Sequence, residues 1–387
     1  MAVGDKDSDR EGISVTLFAK TDTGMQRPGN EDSFIVADLT SGTSGLGSEV
    51  STHTIGDRGS LMVVSDGMGG AAAGEVASEM AVNAICEALM KAPPDDDICK
   101  KLNTAVETAN EQIWNHAKQN VQLSGMGATL TAVLLSAQYA YIAQVGDSRA
   151  YLVRGDRIKQ LTKDQSLVQL LLESGAIEPD QAASVPHNVI MQALGTSPTV
   201  SAAMCVTELR KNDLLILCSD GLSNKLTDDE IREIASQSGS LSEACQRMIE
   251  LANDRGGEDN ITVVIAKFDG ERLHSATQRD SITGTLKVLD KGCFGGDISS
   301  IGGSLKALAG LPEKEDPKVT TLTLNRLDLQ EIPDTAPALA SWEPAVSQSE
   351  HPGRSFGKLN FVLVILAALL LSVAGYLVLH HFLKAGR

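Results

Sequence analysis

Basic residues are scarce in this chain of 387 residues, which has 33 Lys and Arg against 50 Asp and Glu and a formal net charge of -17. Because nucleic-acid backbones attract basic surfaces, this balance argues against nucleic acid as the main partner. Cysteine is also sparse, since the six cysteines are scattered and no two of them form a CxxC pair. That spacing argues against a zinc site or a disulfide framework and favours a reducing compartment.

The chain also lacks a recognisable secretory signal, because its first ten residues are polar and charged. A long apolar run lies near the other end. Residues 359–379 contain no charged side chain, and a helix of that length reaches about 30 Å, enough to cross a bilayer core. Basic residues flank the run on both sides, which favours a membrane anchor over a buried core helix. We predict a single transmembrane helix over residues 358–380, followed by a short basic tail, 381–387.

The length predicts one large domain of about 250 residues and a further segment outside it. Between residues 13 and 268, groups of strand-like runs alternate with pairs of helical patterns, and the strands are joined by turns of hairpin length. This pattern predicts an α/β (α+β) fold in which two mixed, mainly antiparallel sheets pack together under outer helices. We place this domain at residues 1–268. Residues 269–357, rich in Gly, Ser, Thr and Pro, are predicted to form a flexible linker.

Acidic residues recur at turns next to strand-like segments, and two apolar runs end in the same Ser-Asp-Gly triplet. These acidic positions are Asp32, Asp66, Asp147, Asp220 and Asp259. A single Asp-Gly at a strand end is usually a plain turn, but the recurrence points to a shared site. Crowded carboxylates raise one another's pKa unless cations offset the charge. Donors that are all oxygen favour Mg²⁺ or Mn²⁺ over zinc or copper, and the carbonyl of Gly67 is free to join them.

A pair of such cations suggests hydrolysis at phosphorus. Two ions about 3.5 to 4 Å apart can share a water, lower its pKa toward neutrality and hold phosphoryl oxygens. A bridging hydroxide would then attack in line, without a covalent enzyme intermediate. Arg27 suits the role of phosphate holder, because a guanidinium offers a planar fork to two oxygens. The alternative for Arg27 is a surface arginine paired with an acid.

Seven short motifs follow one another in a fixed order. They are residues 27–33 (RPGNEDS), 65–70 (SDGMGG), 127–129 (GAT), 145–151 (VGDSRAY), 161–164 (LTKD), 219–222 (SDGL) and 259–262 (DNIT). Together they resemble the motif set of the metal-dependent type 2C (PPM) Ser/Thr protein phosphatases, bacterial branch, over residues of about 13 to 268. Any one motif is weak, whereas the ordered set is specific.

The resemblance implies a four-layer αββα sandwich with a two-metal centre at the sheet edges and a third, weaker metal site. The implied metal-site residues are Glu31, Asp32, Asp66, Gly67, Asp147, Asp220 and Asp259, and Arg27 is the implied phosphate-binding residue. Asp66 would bridge the two ions, Asp220 would bind the second ion and, with Asp147, the third. Glu31 and Asp32 would hold water bound to the metals.

Three positions depart from the family pattern. Ala71 and Gln165 stand where bacterial members often have histidine, and Gln192 stands where an arginine is usual. Protonation of the leaving group by an active-site histidine is therefore unsupported, and a water on the metal is the better donor. His187 is an alternative donor. It lies in residues 165–195, which are similar to the mobile flap beside the active site of bacterial members.

These observations favour a Mn²⁺- or Mg²⁺-dependent phosphatase that acts on phosphoserine and phosphothreonine in proteins. We expect a single-pass protein of the cell membrane with its catalytic domain in the cytoplasm, opposing a Ser/Thr kinase at the membrane. The alternative is a catalytically weak, phosphatase-like scaffold that binds phosphoproteins. Scaffolds lose metal ligands, and none of the implied ligands is lost here. No nucleophile elbow or Walker-type loop is present, which disfavours an acyl or nucleotide hydrolase.

Overall fold

A computed structural model describes residues 12–175, 177–186, 188–277 and 280–289. In these residues the strands are β1 (Ser14–Asp22), β2 (Asp32–Asp38), β3 (Thr43–Ser44), β4 (Ser51–Thr54), β5 (Ser60–Met68), β6 (Gly127–Ala128), β7 (Leu130–Ser136), β8 (Tyr139–Val145), β9 (Arg149–Arg154), β10 (Arg157–Gln160), β11 (Ala203–Glu208), β12 (Leu214–Cys218), β13 (Ile261–Asp269) and β14 (Leu286–Leu289). The helices are α1 (Ala71–Lys91), α2 (Ile98–Gln119), α3 (Leu167–Glu173), α4 (Asp220–Ser223), α5 (Asp228–Gln237), α6 (Leu241–Asp254) and α7 (Ile282–Thr285).

The strands form two sheets. The first sheet has six strands in the order β10-β9-β12-β13-β1-β4. The second has eight, in the order β14-β11-β8-β7-β5-β2-β3, with β6 paired to β5 off this path. Every pairing between these strands is antiparallel. The chain crosses from the second sheet to the first between β8 and β9, at the turn that contains Asp147.

Strand β5 is apolar on both faces because both faces are buried. Leu61 and Val63 point toward the core beneath α1 and α2, whereas Met62 and Val64 point into the core between the sheets. Alternate side chains of a strand face opposite sides of the sheet, so a strand covered on both faces shows no polar alternation. The strand is therefore rigidly held, and its last residues carry Asp66 to the sheet edge.

Three apolar clusters define the layers. One lies between α1, α2 and the eight-stranded sheet, a second lies between the two sheets, and a third lies between the six-stranded sheet and the pair α5 and α6. Fully burying one Leu, Ile or Val side chain contributes about 1.5 to 3 kcal/mol, and each cluster holds many such side chains. The predicted sandwich of two sheets between helix layers is confirmed.

Two details differ from the sequence predictions. Residues 40–60 are rich in Ser, Thr and Gly, which predicts a loop or a poorly ordered insertion, but they contain the short strands β3 and β4 at the outer edges of the two sheets. The folded part of the chain also continues past residue 268, the predicted domain boundary. Strand β14 pairs with β11, and Ile282 is buried in the core between the sheets. Polar residues surround this short segment in the sequence, so its apolar side chains gave too weak a pattern to predict.

A buried ion pair holds this added segment to the sandwich. Arg154 donates from Nε and Nη2 to the carboxylate of Asp213 at 2.9 and 2.7 Å, and the two side chains are only 3% and 1% exposed. Arg154 also reaches the hydroxyl of Thr285 at 3.3 Å and the carbonyl of Glu208 at 2.8 Å. One guanidinium thus connects β9, the β11–β12 turn and α7.

Within the described residues, no helix is both long enough and apolar enough to span a bilayer. The predicted transmembrane helix at 358–380, the basic tail and most of the predicted linker lie outside the described residues.

Candidate metal centre

Asp32 and Asp66 lie directly opposite each other on β2 and β5. One oxygen of Asp32, Oδ2, accepts hydrogen bonds from the hydroxyls of Ser219 at 2.6 Å and Thr262 at 2.7 Å. Both donors belong to the other sheet, so Asp32 joins the two sheets at the edge where β5 ends. The second oxygen, Oδ1, is buried without a partner.

Asp220 and Asp259 reach the same edge from the six-stranded sheet, where Asp220 follows β12 and Asp259 precedes β13. Asp220 and Asp66 interact, because each perturbs the pKa of the other. Asn224 donates to Asp220 Oδ2 at 3.1 Å, while Asp220 Oδ1 is buried without a partner. Two carboxylates from different sheets are therefore close enough to perturb each other.

The turn that holds Asp147 is built from buried polar contacts. Gln144 donates to the carbonyls of Gly146 and Ser148 at 2.9 and 2.6 Å. The hydroxyls of Ser148 and Thr129 lie 2.7 Å apart, and Thr129 accepts the amide hydrogen of Asp66 at 2.9 Å. The Asp147 turn is thus linked through two hydroxyls to the backbone of Asp66.

Glycine is required where the helix α1 approaches the end of β5. A Cβ on Gly67 would lie 2.0 Å from the carbonyl oxygen of Gly74 and 2.7 Å from that of Glu31. A Cβ on Gly74 would meet the Glu31 carboxylate at 2.2 Å. The amide of Glu31 donates to the side-chain oxygen of Asn260 at 2.7 Å, which fixes Glu31 beside the centre.

Arg27 lies at the open side of the centre with its side chain 46% exposed, and its Nη2 donates to Asp259 Oδ2 at 2.8 Å. Asn260 anchors the loop before Glu31 by donating to the carbonyls of Thr23 at 2.8 Å and Gly29 at 3.0 Å. Arg27 is therefore paired with an acid and is also open to solvent, and its role as a phosphate holder stays a prediction.

The carboxylates perturb one another strongly. Burial raises the pKa of Asp32 to about 7, against the hydrogen bonds from Ser219 and Thr262, which lower it. Burial likewise raises the pKa of Asp147 to about 7, with the charge of Asp220 adding to the effect. The pKa of Asp66 is raised well above its usual value, first by burial and then by the charges of its acidic neighbours, which are Asp32, Asp220, Asp259 and Asp147.

This pattern predicts that, without metal, the stability of the folded protein falls as the pH rises. Between the unfolded pKa near 4 and the folded pKa of about 7 for Asp32, the folded protein holds more protons than the unfolded chain. Raising the pH from about 5 to about 8 is therefore expected to lower the free energy of unfolding. Urea denaturation of EDTA-treated protein at the ends of this range measures the effect. Asp32→Asn removes one of these carboxyls and is expected to flatten the slope; a free energy that rises with pH would contradict the prediction.

The donor set fits hard divalent cations. Its side chains are carboxylates from both sheets, two of their oxygens are buried without a partner, and their pKa values are raised by burial and like charge. Added positive charge relieves each of these conditions. In the described residues, no three His, Cys, Asp or Glu side chains already stand in a closed coordination geometry. Asp259 is instead paired with Arg27.

The flap, residues 165–195, lies beside the Asp147 turn. It contains helix α3 and a 3₁₀ turn at Pro179–Ser184. Its ends are joined by a bridge between Ser166 and Ile190. His187, the alternative proton donor, lies outside the described residues.

Several residues that organise the centre were not predicted from the sequence. Ser219 and Thr262 hold Asp32, Asn260 holds the Arg27 loop, and Thr129 joins Asp66 to Ser148. Each of these residues lies inside one of the acidic or neighbouring motifs. Their proximity in sequence to the aspartates was the available signal, but their partners come from distant parts of the chain.

Carboxylates that two antiparallel sheets bring together at one edge are the arrangement expected of a metal-dependent hydrolase. The chain belongs to the protein phosphatase 2C family, whose sequence profile matches residues 49–264. Membership confirms the predicted enzyme class, a serine/threonine protein phosphatase.

Similar proteins come from several bacteria. The chain is 39% identical over 215 residues to the serine/threonine phosphatase stp of Listeria innocua, covering 54% of this chain and 85% of that protein. It is 38% identical over 255 residues to the serine/threonine protein phosphatase PstP of Mycobacterium tuberculosis, covering 66% of this chain but 45% of that protein.

Solved structures agree with this assignment. The catalytic domain of the serine/threonine protein phosphatase PstP in complex with two manganese ions matches with a TM-score of 0.55 and 35% identity, covering 66% of this chain and 99% of that one. The S. agalactiae serine/threonine phosphatase matches with a TM-score of 0.58 and 32% identity, covering 65% of this chain and 98% of that one.

Proposed function

We propose that this protein hydrolyses phosphoserine and phosphothreonine in proteins and uses two Mn²⁺ or Mg²⁺ ions. The observation that carries the proposal is the convergence of buried carboxylates from two sheets. Asp32 lies opposite Asp66 and is bonded to the other sheet, Asp32 and Asp220 each have a buried oxygen without a partner, and burial and the neighbouring charges raise the pKa of Asp66. When bound, the cations lower the pKa of a shared water and neutralise charge on the phosphoryl group. A relative of known structure holds two manganese ions on the same fold.

The predicted ligands take separate roles. Asp66, at the end of β5, is proposed to bridge the ions, and the carbonyl of Gly67 adds a ligand to one of them. Asp220 and Asp259 bind the other ion, and Asp220 has a free buried oxygen for it. Asp147 lies close enough to raise the pKa of Asp66 and forms the third, weaker site with Asp220.

Glu31 and Asp32 are proposed to orient water within the centre. Ser219 and Thr262 occupy Oδ2 of Asp32 and leave Oδ1 for a single further donor. This arrangement fixes the direction in which Asp32 accepts a proton or a hydrogen bond. Glu31 is similarly fixed at its backbone by Asn260.

Arg27 is proposed to hold the phosphoryl oxygens, because its guanidinium is exposed next to the carboxylates. A hydrogen bond to a charged group contributes about 1.5 to 3 kcal/mol, so Arg27→Ala is expected to raise KM for a phosphopeptide about 10- to 100-fold. Arg27→Lys keeps the charge but not the planar fork, and it should recover only part of this loss. Steady-state kinetics at saturating Mn²⁺ measure the change. The exposed Arg272→Ala serves as the control, and an unchanged KM in Arg27→Ala would remove the proposed role.

The activity itself is tested with the full-length protein and a phosphothreonine peptide. Phosphate release should require Mn²⁺ or Mg²⁺, stop on addition of EDTA and resume when the metal is restored. The scaffold alternative predicts that the phosphopeptide binds without turnover under all three conditions.

We further propose that the enzyme works at the cell membrane, with its catalytic domain in the cytoplasm. Support comes from the uncharged run at 359–379 and its flanking bases, and from the substrate chemistry, since phosphoproteins must be supplied by a Ser/Thr kinase. Protease added to intact cells should leave the catalytic domain intact, and the protein should remain in the membrane fraction. Digestion of the catalytic domain would overturn the cytoplasmic placement.

A further inference from the structure

The strongest polar connection between the flap and the centre runs through Gln165. Its side-chain Oε1 accepts the backbone amide hydrogen of Gly146 at 2.9 Å. The backbone amide of Gln165 donates to the carbonyl of Gly146, also at 2.9 Å. Gln165 therefore occupies both backbone hydrogen-bonding groups of the residue before Asp147. The Gly146 carbonyl belongs to the peptide unit that carries the Asp147 nitrogen, so moving this carbonyl moves Asp147.

Gln165 also holds the far end of the flap. The backbone carbonyl of Gln165 accepts a hydrogen bond from the backbone amide of Met191 at 2.7 Å. Its side-chain Oε1 accepts a second hydrogen bond, from Gln192 Nε2, at 3.1 Å. Gln192 in turn exchanges hydrogen bonds with the backbone of Ser201, at 2.8 and 2.9 Å, just before β11. The two glutamines thus join both ends of the flap to the Asp147 turn.

The turn leaves little room for adjustment. Gly146 has a φ of 92°, and a Cβ there would meet Thr129 Cγ2 at 2.8 Å. On the opposite side from the flap, the turn is fixed by Gln144 and by the Thr129–Ser148 pair that leads to Asp66. A displacement of Gln165 is therefore expected to move Asp147, because the tightly packed turn between them cannot absorb it.

We propose that Gln165 is a positioning residue that clamps the Asp147 turn to the base of the flap, so that the flap ends set the place of the Asp147 carboxylate relative to Asp66 and Asp220. Gln192 supports Gln165 by bonding to its Oε1 and to the backbone of Ser201. This inference rests on the proposed metal role of Asp147 and adds to it that the affinity of that site depends on the flap. Both contacts use neutral amides, so the clamp itself does not titrate.

The first readout is amide exchange in the full-length, metal-free protein in detergent, followed by mass spectrometry. One hydrogen bond contributes about 1 kcal/mol net, so Gln165→Ala should speed exchange of the peptide containing Gly146 about fivefold. Gln165→Glu keeps the oxygen acceptor for both donors and should retain the protection. Gln169→Ala is the matched control, because Gln169 lies on the same flap but bonds only to the exposed Glu173 among the contacts resolved for its side chain.

The second readout is Mn²⁺ binding, measured by the electron paramagnetic resonance signal of free Mn²⁺. Gln165→Ala should weaken the weakest site about threefold to tenfold, whereas Gln169→Ala should leave it unchanged. Gln192→Ala should speed exchange of residues 188–193 and weaken the same site to a smaller extent. It also provides the test if Gln165→Ala does not fold.

Unchanged exchange at Gly146 in Gln165→Ala would overturn the clamp. Faster exchange with unchanged Mn²⁺ affinity would overturn the positioning of Asp147. If the wild-type protein releases no phosphate with Mn²⁺, the proposed function fails, and the exchange comparison still decides whether the clamp exists.

Discussion

Asp66→Asn lowers kcat for a phosphothreonine peptide by at least about 10³-fold at saturating Mn²⁺, because a bridging metal ligand supports several kcal/mol of charge stabilisation in the transition state. The asparagine has nearly the shape of aspartate, but it supplies one neutral oxygen where a carboxylate supplies two charged ones. It also removes the acid that Asp220 contacts. Steady-state rates, together with Mn²⁺ binding to the same variant, measure the loss.

The control for this prediction is Asp156→Asn. Asp156 lies in an exposed turn with its side chain 91% accessible, and its pair with Arg157 is loose at 3.8 Å. This substitution makes the same chemical change at an exposed position whose charge is screened by solvent. The value of kcat should therefore stay within about twofold. Equal activity in Asp66→Asn and wild type would reject the metal centre, and equal loss in both variants would point to a general charge effect instead.

Asp213→Ala destabilises the folded protein by about 3 to 5 kcal/mol, since it leaves the guanidinium of Arg154 buried without its partner. The pair is almost fully buried, and Asp213 also accepts the amide of Arg210 at 2.7 Å. Urea denaturation of the metal-free protein measures the effect. Circular dichroism and fluorescence should report the same midpoint if the sandwich unfolds as one unit.

Removing both charges tests the mechanism of this loss. The double variant Arg154→Met with Asp213→Ala should be more stable than Asp213→Ala alone, because no unpaired charge remains in the interior. Glu87→Ala, which breaks an exposed pair with Lys91, is the matched control and should leave the urea midpoint unchanged. A double variant as unstable as the single one would show that the cost comes from lost packing.

Much of the fold was readable because burial leaves a local record in the sequence. The apolar runs of β5 and β12 end in the same Ser-Asp-Gly triplet, and the helices α1, α2, α5 and α6 carry apolar residues at helical spacing. These patterns gave the layers, the strand ends and the aspartates placed there. The predicted roles of these aspartates as metal ligands remain predictions, although the structure brings their carboxylates close enough to perturb one another's pKa.

Other features could not be read from the sequence, because each depends on partners far apart along the chain. Ser219 and Thr262 look like ordinary strand-end residues until β12 and β13 place them on Asp32. Gln165 looked like the loss of a histidine, yet its amide oxygen joins the Asp147 turn to the flap.

By itself, the sequence determined which residues are buried in strands and helices, where the acidic turns fall and which family the ordered motifs resemble. Those properties depend on neighbours within a few residues, through side-chain periodicity and turn chemistry. Only the tertiary structure decided that segment 282–289 completes the larger sheet, that Arg154 and Asp213 pair in the interior, and which oxygens of the centre lack a partner. Pairing and desolvation are set by contacts between distant segments, and no local pattern encodes them.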